Sequence, residues 1–139
     1  MNQTLSYFSS FIYKDFLAYT AGQLQAMGLS HGSMPFILYL GKHPGCTPSQ
    51  LTGALHMDWG HSQRSLNRLE ENGFLTREKA GRTHILELTD RGRQAFSLCH
   101  QVFTDWDQEH LSVLSEEEQH QLLSLMGKLV AECEAKHHV

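Results

Sequence analysis

The side chains best equipped for chemistry in this sequence are hydrogen-bond donors gathered in two short stretches. His61, Ser62, Gln63, Arg64, Ser65, Asn67 and Arg68 fall in one run, and Arg77, Lys79, Arg82 and Thr83 follow soon after. Gln and Asn can pair bidentately with adenine, Arg with guanine, and Ser with either donors or acceptors. A guanidinium is also a strong donor to phosphate oxygens. Six of the 11 Lys and Arg residues are arginines between Arg64 and Arg93. Such a set suits recognition of base edges and phosphates rather than bond making. There is no HExxH, no Gly-rich phosphate loop, no GxSxG and no pair of carboxylates on facing elements. An enzyme is therefore not expected. Glu116, Glu117 and Glu118 follow Ser115 and read as a capping box with acids at the positive end of a helix.

Histidine and cysteine are the other candidates. Ten histidines are many for 139 residues. His100, Asp107 and His110 fall on one expected helix and His120 on the next, but His100 and His110 are not four apart and form no ligand pair on a helix face. His137 and His138 sit near the chain end. Solvated histidines, no metal and no cofactor are expected. Cys46, Cys99 and Cys133 show neither a CxxC nor a disulfide framework, which fits a reducing, cytoplasmic setting.

The formal net charge of -4 alone argues against a nucleic-acid partner. Its distribution argues otherwise. Residues 61–100 hold seven basic and five acidic groups, and residues 101–139 hold two basic and eight acidic ones. No apolar run approaches the ~18 residues of a membrane span, so no membrane partner is expected. Met1 to Thr4 show no basic n-region leading into an apolar stretch, so no secretory signal is expected either.

The elements that must position the donors follow from periodicity. Leu5, Phe8, Phe11, Ile12, Phe16, Tyr19 and Leu24 recur at three- and four-residue steps and predict a helix over 5–27. A second helix runs from Ser30 or Ser33 to Lys42, with Ser33 as cap or with a kinked early turn that tolerates Pro35. Thr47-Pro48 opens a third. Residues 56–60 read as a brief connection to a fourth helix, which starts at Gly60 or His61 and ends at Asn72-Gly73. Leu66 and Leu69 anchor it from behind, leaving the donor-rich side exposed. The period then changes. Two short strands with a turn at Ala80-Gly81 end before Thr89-Asp90, which caps a helix to about Glu109. The last helix follows Ser115, and residues 134–139 are expected to fray. The expected fold class is mainly α with a small β-hairpin wing. A short helix, a tight turn, a second helix and an immediate hairpin make a winged helix-turn-helix, whose second helix fits a major groove. Arg82, at the hairpin tip, suits a minor groove.

Several stretches carry a family likeness: Gly28-Leu29-Ser30, Leu38-Tyr39-Leu40, and Pro44-Gly45-Cys46-Thr47-Pro48-Ser49-Gln50-Leu51. The most specific are Arg68-Leu69-Glu70-Glu71-Asn72-Gly73-Phe74-Leu75-Thr76-Arg77 and Leu88-Thr89-Asp90-Arg91-Gly92. From about Leu5 to Glu134 the chain resembles the MarR family of bacterial winged-helix transcriptional regulators. The resemblance implies one domain over 1–139, with dimerisation arms at 5–27 and 100–136 and a DNA-binding lobe at 30–99. It implies a homodimer on a pseudo-palindromic double-stranded operator, a repressor relieved by a small-molecule effector. An effector between arms and lobe would meet Tyr7, Phe11, Tyr13, Phe16, Met27 and Met34, a lining that suits a flat aromatic ligand. The same stripe would also serve as dimer core. The family's wing usually carries Asp-x-Arg. Arg82 matches the arginine, but Ala80 stands where the aspartate belongs, so the salt bridge that braces the arginine is absent. Redox-sensing members use a cysteine in the first helix, and this chain has none there.

Two rival readings remain at this level. A winged helix can bind protein instead of DNA, and a metal-responsive regulator would use some of the histidines. His56, His61 and His84 flank the donor-rich segments, and their protonation would add positive charge there.

Overall fold

A computed structural model describes residues 3–137. Helix α1 (Leu5–Ala26) starts where the Thr4 hydroxyl accepts from the Tyr7 N–H at 3.2 Å. It ends at Gly28, whose φ of +79° is the left-handed conformation that reverses a chain after a helix. The N–H groups of Gly28 and Leu29 then bond back to Gln25 and Leu24 at 2.9 Å, a Schellman closure. A single 3₁₀ turn (His31–Ser33) leads into α2 (Met34–Lys42). Ser33 does not cap α2. Its backbone is already helical, and the kinked early turn is what admits Pro35.

Helix α3 (Pro48–Ala54) opens with a full capping box, in which Thr47 and Gln50 satisfy each other's backbone N–H groups at 2.9 and 3.1 Å. Helix α4 (Trp59–Glu71) begins one residue before the expected range. Asp58 caps it by accepting from the His61 N–H at 3.0 Å, so the connection is shorter than it reads in sequence. Strands β1 (Leu75–Ala80) and β2 (Thr83–Leu88) pair antiparallel, with Leu75 opposite Leu88 and Arg77 opposite Leu86. Ala80 pairs with Thr83, which moves the turn by one residue from Ala80-Gly81 to Gly81-Arg82. Gly81 alone takes a positive φ there, +63°, as a two-residue hairpin with glycine at its first central position does.

Helix α5 (Asp90–Leu111) and helix α6 (Glu116–His137) complete the chain. Two compact units divide α5 between them, one ending at Phe103 and one starting at Thr104. The first unit holds the core. Leu24, Phe36, Ile37, Leu40, Leu51, Leu66, Phe74, Leu75, Leu86 and Cys99 are buried there. In the second unit, Ser115 and Glu118 cap α6 reciprocally at 2.9 and 3.1 Å, and the Ser115 N–H that donates to the Glu118 carboxylate holds that carboxyl below its ordinary value. The Gln119 amide closes the corner by donating to Leu111 and Leu114. Helix α6 continues to His137 instead of fraying from 134, and His138 and Val139 lie outside the described residues. Leu123, Leu125, Leu129 and Val130 of α6 are exposed, as are Leu5, Phe8, Phe11 and Ile12 of α1.

The join between α4, the hairpin and α5 rests on one segment. The Thr89 hydroxyl donates to the Gly73 carbonyl at 2.5 Å and accepts from the Gly92 N–H at 3.0 Å. Arg91 donates to the Asn72 carbonyl at 2.5 Å and to the Met27 carbonyl at 3.0 Å, and its guanidinium lies 4.3 Å above the Phe74 ring. Gly92 has no room for a side chain, because a Cβ would fall 2.0 Å from the Phe74 carbonyl oxygen. Gly22, inside α1, meets nothing within 4 Å. Gly92→Ala is expected to cost roughly 1–3 kcal/mol or more, because backbone must shift. Gly22→Ala is expected to add about 0.5–1 kcal/mol through helix propensity. Chemical unfolding of both variants checks the opposite signs.

Candidate nucleic-acid interface

Helix α4 carries a buried stripe at positions 62, 65, 66 and 69, the spacing of one helical face. This revises the expected donor surface. Ser62 is fully buried and Ser65 is 6% exposed, so neither belongs to the exposed polar side. Thr52 uses its hydroxyl proton on the Pro48 carbonyl at 2.7 Å, so Ser62 donates to the Thr52 oxygen at 2.7 Å. That buried bond ties α3 to α4. Ser65 instead lines a cleft of about 250 Å³ with Ser30, Ser33, His61, Arg68 and Asn72. Ser30 and Ser33 read in the sequence only as helix starts, because only tertiary packing brings them beside α4.

His61, Arg64, Asn67 and Arg68 are exposed, and Gln63 is half-buried. Arg64, Asn67 and Arg68 line one shallow groove. The Gln63 amide nitrogen is enclosed without a hydrogen bond. Arg77 departs from the expectation of an outward contact. It stands opposite the fully buried Leu86, so it shares the hairpin's inward face, and its side chain is 17% exposed. Its Nη2 donates to Asn67 Oδ1 at 3.0 Å, and its Nε lies 3.8 Å from a Glu70 carboxylate oxygen. Lys79, Arg82 and Thr83 are exposed around the hairpin tip. Arg93 is held by the Leu88 carbonyl and by Asp90. Of the six arginines counted in the sequence, Arg77, Arg91 and Arg93 are thus engaged within the fold. Arg64, Arg68 and Arg82 are the three whose guanidinium groups remain on the α4 and hairpin surfaces. Arg91 was the missed residue. Its signal was its place next to a glycine after a helix cap.

The six expected effector residues are not alike. Tyr7, Phe11 and Tyr13 are exposed, Phe16 stacks on Phe103 at 5.1 Å, and Met27 is partly buried. Met34 is a core residue, 4% exposed, because it opens the buried face of α2. It is therefore no cleft wall. Burial pushes the Cys99 thiol up to about 11 and raises Cys46 as well, while Cys133 is exposed. His100 meets Phe96 edge-on at 4.8 Å, and His110 stacks on Trp106 at 4.2 Å. Among the described residues no three His, Cys, Asp or Glu side chains gather to hold a metal ion. No helix among them is long and apolar enough to cross a membrane.

A family model described as the DUF6293 C-terminal winged helix domain matches residues 62–100. The chain is 39% identical over 132 residues to the HTH-type transcriptional regulator BilQ of Clostridium symbiosum (strain WAL-14163), covering 93% of this chain and 92% of that one. A crystal structure of MarR superposes with a TM-score of 0.85 at 26% identity, over 99% of this chain and 95% of that one. This chain belongs to the MarR family of winged-helix transcriptional regulators. Streptococcus pneumoniae FabT, solved in complex with DNA, is 26% identical over 94% of this chain and 96% of its own, with a TM-score of 0.84. Membership of that family supports DNA-binding transcriptional regulation as the chain's role.

Within that fold the Thr52–Ser62 bond fixes how α4 is presented by α3. Ser62→Ala is expected to lower unfolding free energy by about 1 kcal/mol. Base preference should stay unaltered, because Ser62 faces inward. Unfolding midpoints alongside binding-site selection test both halves.

Proposed function

We propose that the chain works as a cytoplasmic homodimeric repressor. Two copies of α4 read the halves of a pseudo-palindromic operator, and a small aromatic effector releases the DNA. The observation that carries this reading is the pairing of two surfaces. One is the α4 groove of Arg64, Asn67 and Arg68 with the exposed hairpin tip at Arg82. The other is apolar exposure in each unit taken by itself: Phe11 on α1 is 66% exposed, and Leu125 on α6 is 59% exposed. Faces of that apolar character call for a partner, and a second copy is the simplest one. FabT in complex with DNA supports the first surface by likeness. Effector contact then falls to Tyr7, Phe11, Tyr13, Phe16 and Met27, which lie along or just after α1.

The contact residues divide by role. Arg64, Arg68, Asn67, Gln63 and His61 face bases or the adjoining phosphates. Lys79, Arg82 and Thr83 approach the minor groove and its backbone. Selection from random DNA by the purified protein is expected to return two inverted half-sites roughly one helical turn apart. Arg82→Ala should weaken binding across all sequences and reduce the slope of log affinity against log salt by about 1. Failure to enrich any DNA would favour the protein-binding winged helix instead.

A further inference from the structure

We propose that Asn67 reads its base pair as a donor and selects guanine over adenine, and that Arg77 is the positioning residue that makes it so. This rests on the reading of α4 as the groove-reading helix. A free carboxamide is ambivalent, with one acceptor oxygen and two N–H donors. Arginine has donors only. The 3.0 Å contact between Arg77 Nη2 and Asn67 therefore fixes the amide with Oδ1 toward β1, since the flipped amide would set donor against donor. The amide nitrogen becomes the end left for a base.

Two features hold this arrangement. Arg77 projects from the inward face of the hairpin, opposite the buried Leu86, so it cannot swing freely into solvent. Glu70, one turn further along α4, lies 3.8 Å from its Nε and adds an ion-pair attraction on the same edge of the guanidinium. The result is a cation lodged behind the Asn67 oxygen. Bidentate pairing with adenine needs that oxygen to accept from the N6 amino group while the nitrogen donates to N7. The oxygen keeps a second lone pair, but its approach is flanked by the Arg77 guanidinium, whose positive charge opposes a second donor. Guanine presents O6 and N7, both acceptors, and the same charge favours them. A sequence reading of Asn67 as an adenine reader is thus inverted by a neighbour ten residues away.

The test is selection of bound sites from random duplexes with the full-length protein and with N67A, N67D, R77M and E70Q. N67A identifies the base pair that depends on Asn67, as the one position per half-site whose preference disappears. The wild-type protein is expected to show guanine there. R77M frees the oxygen and should raise adenine over guanine at that position by about fivefold or more, the scale of one base-specific pair. E70Q keeps the Arg77 bond and should keep guanine. N67D retains the Arg77 partner but has no donor, so guanine should give way to cytosine, whose amino group a carboxylate accepts. If R77M fails to fold, the N67D result decides. Adenine at this position in the wild type, guanine retained in N67D, or a uniform affinity loss in R77M with preferences unchanged would each overturn the inference. So would an N67A profile identical to the wild type. Those outcomes all require bound DNA, whereas a wild-type protein that enriches no sequence overturns the DNA-reading assignment itself.

Discussion

A single guanidinium joins the end of α1 to the end of α4, the helix proposed above to read DNA. Two helices, α1 and α4, end in the same Schellman geometry, each with a left-handed glycine after its cap. That geometry satisfies the carbonyls of the last turn but leaves the cap carbonyl itself, Met27 in α1 and Asn72 in α4, facing outward. Arg91 takes both. The negative ends of two helix dipoles therefore converge on one permanent cation, an arrangement favourable to all three. Phe74, immediately after the α4 exit, supplies a ring beneath the charge. The direction in which α4 leaves the core, and the point at which the hairpin begins, follow from this clamp.

The neighbours of Arg91 make the clamp possible. Thr89 binds the Gly73 carbonyl with the same hydroxyl that caps α5, so the start of one helix is stitched to the end of another. Gly92 lets the Phe74 carbonyl approach where any Cβ would collide. Below them, the Leu86 backbone exchanges 2.9 Å hydrogen bonds with Gly45 and Cys46, which roots the hairpin in the turn between α2 and α3. The turn between α3 and α4 is held differently. His56 takes a φ of +52°, a conformation costly for a residue with a Cβ, and it does so to close α3 with the bonds that glycine supplies elsewhere.

Much of this architecture was legible because local signals agreed with one another. Apolar spacing gave the helices, Thr47-Pro48 and Ser115 with Glu118 gave their starts, and Asn72-Gly73 gave an end. The interface was legible only in part. A helix has a back as well as a front, and serine is at home on either. Composition alone put Ser62 and Ser65 outside, whereas the 3.6-residue repeat that runs through Leu66 and Leu69 draws them in. Arg77 was misread for a similar reason. Its direction depends on strand register, and the one-residue displacement of the turn shows how loosely register is written in a short hairpin. The Arg91 clamp spans 64 residues to Met27, beyond the reach of any local pattern.

The arginines held inside the fold also bear on how such a regulator searches. A protein finds its site by repeated brief contacts with other DNA, and the duration of each contact grows with the number of phosphates its free cations can neutralise. Here half of the arginines around α4 and the hairpin are occupied by carbonyls and carboxylates of the protein itself. Encounters with unrelated sequence should therefore be short. By this charge argument the molecule would trade retention for turnover, staying only where the fit, rather than the charge, holds it.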